Sequence, residues 1–295
     1  YIMNKLTMLD YVKETPGVLR TNIEQYTTLV DPLMKEVQQK EIKRILLVAS
    51  GSSHNACYCA RSFVEKVSGL EVRIITPYTF TYYENDIKEN DLVLVVTQSG
   101  LSTNAIEALK IIKKKECKAI CLTGNKNSDV KDVADVVIEY GVGKELVGYV
   151  TKGVSSLALF LDLFAIAYSG KTEYLDELKK AADLNEEMID QATNFIQRHY
   201  KNFTSMSWVY SCGAGANYGT ALESALKMGE TIHIPSCCYE IEEYIHGPNL
   251  QLTPQYNVVF FDGNDGASRR VEQVYKATRK VTNRVYLISN NPQLS

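Results

Sequence analysis

Ile45-Leu46-Leu47-Val48-Ala49-Ser50-Gly51-Ser52-Ser53 joins five consecutive apolar residues to a run of small hydroxyl residues. An apolar run without alternation reads as a strand buried on both faces, which is the mark of a parallel sheet. A helical pattern follows over 54–67, then a strand at 72–75. Leu92-Val93-Leu94-Val95-Val96 repeats the theme, running into Thr97-Gln98-Ser99-Gly100-Leu101-Ser102 and a helix to 115. Residues 118–122 and 136–139 supply two further strands. This βαβα order predicts a doubly wound parallel sheet.

Outward from that core, residues 17–41 read as helical after Pro16-Gly17. Two long helices are predicted near 152–169 and 173–200. Strands then resume at 208–211, 257–261 and 284–288. The expected architecture is two doubly wound parallel-sheet subdomains, each a three-layer α/β/α sandwich, joined by a helical segment. The expected boundaries are 1–41 for an N-terminal helical segment, 42–170 for the first α/β unit, 171–203 for the linking helix and 204–295 for the second unit. That unit stops soon after its last strand, where a doubly wound domain usually continues. Gly51 and Asn55 share their offsets after a strand with Gly213 and Asn217, a weak internal repeat.

The chain has 295 residues, 45% of them hydrophobic and 23% charged, as in soluble globular proteins. A net charge of −3 and a pI near 5.9 argue against a nucleic-acid surface. No apolar run reads as long enough to span a bilayer; 157–167, the most apolar stretch, suits a buried core helix. Seven cysteines without paired C-x-x-C spacing, and no signal peptide, read as reduced and cytoplasmic. Four scattered histidines give no metal site, and no cofactor is expected.

Ser52, Ser53, Thr97, Gln98, Ser99 and Ser102 are the candidate ligand-holding residues. Ligands of open α/β sheets bind at the carboxyl ends of strands, where orphan amides and the helix dipole favour an anion. Neither turn contains Lys or Arg, so the expected ligand is a phosphate held by neutral donors. One such turn alone reads as ordinary helix capping. Two on nearby strands make the anion site an equal reading.

Glu223, Lys227 and Glu230 are spaced i, i+4, i+7, which places them on one face of a helix. His246-Gly247-Pro248 follows. By themselves these residues read as a solvated face with one ion pair. With a histidine nearby they can also move protons.

Taken in order, the serine-rich turn, Thr97-Gln98-Ser99-Gly100-x-Ser102, Glu223-x3-Lys227-x2-Glu230 and Glu243-x2-His246-Gly247-Pro248 resemble the sugar isomerase (SIS) domain family. The likeness is to its tandem form, as in the isomerase half of glucosamine-6-phosphate synthase, and covers essentially the whole chain. The opening from Met3 to Pro16 and the stretch from Lys144-Glu145 through Thr151-Lys152 share it. The resemblance implies that Ser53, Gln98, Ser99 and Ser102 hold a sugar phosphate, with Thr97 replacing a usual serine. It implies that Glu230 shuttles a proton between C1 and C2, and that His246 assists ring opening across a homodimer interface. Glu223 and Lys227 match further active-site positions. The family's imine-forming lysine would lie beyond Ser295, and no residues here match its glutamine-hydrolysing unit. The expected activity is therefore isomerase, deaminase or deglycase chemistry on a sugar or amino-sugar 6-phosphate, without nucleic acid or membrane. The rivals are a plain aldose–ketose isomerase and a non-catalytic sugar-phosphate sensor.

Overall fold

The computed structural model describes residues 6–38 and 40–292. Met3 and the last three residues of the expected second unit lie outside that range. The chain divides into two compact units, one ending at Ile189 and the other beginning at Asp190, so that the division falls inside a helix.

The first unit opens with α1 (Met8–Glu24) and α2 (Tyr26–Val37). The expected helix at 17–41 therefore starts earlier and is broken at Gln25. Thr7 and Asp10 form a reciprocal capping box that starts α1 at Met8. Pro16 does not precede this helix but lies inside it. Thr15, beside it, turns its hydroxyl back onto the carbonyl of Tyr11. The sheet contains β1 (Arg44–Ala49), β2 (Glu71–Ile75), β3 (Asp91–Thr97), β4 (Ile120–Thr123) and β5 (Val136–Glu139). It is parallel throughout, in the order β2-β1-β3-β4-β5. Every residue of β3 is buried, as its unbroken apolar run requires.

Helices α3 (Gly51–Ser68), α4 (Pro77–Tyr82), α5 (Thr103–Lys114) and α6 (Lys152–Ser169) cover the sheet. Ala56, Cys57, Ala60 and Val64 of α3 pack in one core with α1, α2 and α6. Ala105, Ala108, Leu109 and Ile112 of α5 pack with Phe80 of α4 in another. The helices that follow β1 and β3 thus cover opposite faces, which makes the gap between these neighbouring strands the topological switch point. Helix α6 corrects one expectation: its 18 residues are long and apolar enough for a membrane span. Most of that surface is buried against neighbouring helices, so α6 serves as a core helix here.

Helix α7 (Leu175–Arg198) carries the chain into the second unit, where α8 (Tyr200–Thr204) follows. That unit holds β6 (Val209–Gly213), α9 (Ala216–Lys227), β7 (Ser236–Glu240), α10 (Ile241–Ile245), β8 (Asn257–Phe261), α11 (Ser268–Thr278) and β9 (Val285–Ile288). Its sheet is also wholly parallel, in the order β7-β6-β8-β9. By chain position this repeats the second-first-third-fourth order of the other sheet. Strand β7 escapes sequence reading because Ser-Cys-Cys-Tyr-Glu is an edge strand with little apolar signal. Cys237 is exposed there and Cys238 half-buried.

Candidate active site

The first cluster forms at the carboxyl ends of β1 and β3. Ser50 and Ser102 occupy the N-cap positions of α3 and α5, yet neither side chain bonds a first-turn amide. Simple capping is therefore not what these hydroxyls do. The Ser50 Oγ accepts from Asn104 Nδ2 at 3.1 Å, which ties one turn to the other. The Ser102 Oγ accepts from Thr97 Oγ1 at 3.2 Å. Two helix N-termini, neither spent on its own capping side chain, thus start from adjacent strands on either side of the switch point. Orphan amides and the positive ends of two helix dipoles favour an anion at each.

Local packing holds the 97–102 turn in shape. Gly100 has φ +66°, in the left-handed region. A Cβ there would stand 1.7 Å from Ser128 Oγ, so only glycine fits. Ser128 is itself fixed by its bond to the Asn125 carbonyl at 2.6 Å. The Gln98 carbonyl accepts from Gly124 N and Thr123 Oγ1. Ser99 and Ser102 are exposed, while Thr97, Ser52 and Ser53 are buried. Gln98 is half-buried, and its amide contacts Glu145 and Tyr140. His54, in the first turn of α3, is held below the usual histidine range by burial, with a smaller opposing contribution from Asn55.

The second cluster forms where α9 ends. Lys227 is the last α-helical residue, and Met228–Ile232 continues as a π-helix closed by His233 at φ +59°. The expectation of one continuous α-helical face is corrected, because Glu230 lies in the π segment. The three side chains nevertheless converge. Lys227 Nζ stands 3.1 Å from Glu223 Oε1 and 2.6 Å from Glu230 Oε2. Glu223 and Lys227 are 14% and 15% exposed, Glu230 35%. Of the two carboxylates that share this ammonium, the one more open to solvent, Glu230, can accept a proton and return it. A π turn of this kind often marks a functional position. His246 stands at the C-terminal end of α10, exposed, before Gly247 and the 3₁₀ turn Pro248–Gln251.

Sequence reasoning missed Asn104, Ser128, Tyr140 and the bonding role of Glu145. These residues are distant in sequence from the turns they brace and obey no fixed offset, so no local signal marks them. Among the described residues, no group of His, Cys, Asp and Glu could hold a metal ion.

Comparison with known proteins gives this geometry its context. Residues 40–167 match the SIS domain model. Over 290 residues the chain is 24% identical to glutamine–fructose-6-phosphate aminotransferase (isomerizing) of Sulfurisphaera tokodaii, covering 97% of this chain and 48% of that one. The Thermotoga maritima protein of the same name is 29% identical over 229 residues, 74% of this chain and 37% of that one. The chain thus spans about half, or less, of these relatives. Among solved structures, a Clostridium difficile 630 protein with a provisional phosphosugar isomerase assignment superposes with a TM-score of 0.85. It is 26% identical, with 97% of this chain and 84% of that one covered. The C-terminal domain of the Francisella tularensis glucosamine-fructose-6-phosphate aminotransferase shares the fold at TM-score 0.81 and 21% identity, covering 95% and 82%. The family likeness therefore rests on the match of residues 40–167 to the SIS domain model.

Proposed function

We propose that this chain processes a sugar or amino-sugar 6-phosphate through ring opening and proton transfer between C1 and C2, as an isomerase, deaminase or deglycase. The observation that carries the reading is the pair of side-chain-uncapped helix N-termini at the β1/β3 switch point, lined by hydroxyls, with no Lys or Arg in either turn. Such a site suits a single phosphate dianion, held by amides and by Ser52, Ser53, Thr97, Gln98, Ser99 and Ser102. The names of the relatives, all on sugar 6-phosphate chemistry, support the same substrate class.

In this reading Glu230 is the base. It takes the proton from one carbon and returns it to the next, through an enediol or enamine. Lys227 offsets the negative charge that develops on the substrate oxygen. Glu223 holds Lys227 in place. His246 donates a proton to the ring oxygen as the bond from that oxygen to the anomeric carbon breaks, and the anomeric hydroxyl gives its proton to water, leaving the open-chain carbonyl. In a homodimer His246 serves the partner's site. The parallel strand orders of the two sheets support an origin by duplication.

The test is a substrate screen with hexose 6-phosphates, amino-sugar 6-phosphates and fructosamine 6-phosphates, reading isomer, ammonia and amine release. Ser99→Ala with Ser102→Ala should weaken binding of the phosphorylated substrate by at least tenfold, because each hydrogen bond to a charged group is worth about 1.5–3 kcal/mol. Equal affinity for phosphorylated and unphosphorylated sugars in the wild type would overturn the reading.

A further inference from the structure

Glu145 lies in the segment that leads from β5 to α6. Its carboxylate nonetheless gathers three donors. Gln98 Nε2 and Thr151 N reach Oε1 at 2.8 and 2.9 Å, and Lys152 N reaches Oε2 at 2.8 Å. Two of these are backbone amides at the start of α6. The third is the side chain of the 97–102 turn.

The other end of the same amide is held as well. Tyr140 Oη donates to Gln98 Oε1 at 3.2 Å. Tyr140 is wholly buried, and burial, reinforced by the charge of Glu145, pushes its hydroxyl up and keeps it a neutral donor. Turning the Gln98 amide by half a rotation would set its oxygen against a carboxylate and its NH₂ against an O–H donor. Glu145 and Tyr140 together therefore admit one orientation only. Gly153 closes the enclosure, since a Cβ there would stand 1.7 Å from Gln98 Oε1. An amide nitrogen carries two protons, and Glu145 takes one of them.

We propose that Glu145 is a positioning residue for phosphate recognition: by holding Gln98 Nε2 it fixes where the second N–H of that amide is offered, and it ties the 97–102 turn to the start of α6. This rests on the phosphate reading given above. A carboxylate that merely capped α6 would contribute to stability and leave ligand choice untouched.

The two roles separate in calorimetry on the full chain with fructose 6-phosphate and with fructose, the readout being the dissociation constant for fructose divided by that for fructose 6-phosphate. In Glu145→Gln the neutral side chain no longer dictates the Gln98 orientation, and the ratio falls about tenfold, the worth of one hydrogen bond to a charged group. Tyr140→Phe keeps the α6 cap and the buried ring but frees the other end of the amide. It lowers the same ratio by a smaller factor, and it carries the test should Glu145→Gln fold poorly. If the wild type prefers the phosphorylated sugar and the variants keep its full preference, Glu145 is a helix cap only and the proposal is overturned. If the wild type shows no preference, the phosphate reading falls, and this proposal with it.

Discussion

Gly100→Ala tests whether the 97–102 turn is a rigid cradle. The new Cβ would meet Ser128 Oγ at 1.7 Å, Ser128 Cβ at 2.6 Å and Thr123 Oγ1 at 3.2 Å. Ser128 cannot swing away cheaply, because it is buried and its hydroxyl is bonded to the Asn125 carbonyl. Overpacking of this kind costs about 1–3 kcal/mol. Holding an alanine at φ +66° adds about 1–2 kcal/mol. The sum, about 2–5 kcal/mol, leaves a domain of ordinary stability folded. In a unit of this size it lowers the melting temperature by roughly 4–20 °C. Relief of the clash displaces the turn, so binding of fructose 6-phosphate weakens as well. Ser128→Gly supplies the control. In that background both contacts with Ser128 are gone, the 3.2 Å approach to Thr123 Oγ1 and the backbone cost remain, and the penalty of Gly100→Ala falls toward the backbone cost of about 1–2 kcal/mol. Thermal melts of the four proteins give the coupling directly, and calorimetry gives the affinity. Additive effects, with no relief from Ser128→Gly, would refute the steric argument. An unchanged affinity in folded Gly100→Ala would refute the cradle.

Asp162 offers a pH test: its Oδ1 is buried with no hydrogen-bond partner among the described residues, and burial raises its carboxyl well above the usual range. The unfolded chain then releases this proton first, so stability is full below the ordinary carboxylate value and falls as pH rises toward the raised one. Asp162→Asn should gain in melting temperature over the wild type progressively from pH 4 to pH 8; a pH-independent difference would contradict this. The shared-site proposal predicts that inactive His246→Ala and Glu230→Gln proteins regain about a quarter of wild-type activity when mixed under exchange, since hybrid dimers carry one intact site. Hybrids that form and stay inactive would rule it out.

Much of the fold was legible because buried parallel strands announce themselves. The apolar runs at 45–49, 92–96 and 257–261 all fall on strands. The edge strand β7 stayed hidden because its mixed burial leaves no apolar run. Pro16 misled in the other direction, since a capping box at Thr7 and packing of Tyr11, Leu19 and Ile23 outweigh one lost helical bond. At the site, spacing brought Glu223, Lys227 and Glu230 together, although the π segment that completes the cluster has no sequence signature. The braces around Gln98 were illegible for a plainer reason. Glu145, Tyr140 and Gly153 approach it only through the tertiary fold.

The proton transfer assigned to Glu230 is the central claim, and exchange of substrate hydrogen with deuterated water measures it directly. The wild-type protein, incubated with its phosphorylated sugar in D₂O, should wash deuterium into C1 or C2, as followed by NMR. Glu230→Gln keeps the side chain's size and polarity but removes the base, so exchange should slow by about 10²–10⁴-fold while the phosphorylated sugar still binds. Exchange at the wild-type rate in Glu230→Gln would contradict the account and remove Glu230 from the chemistry.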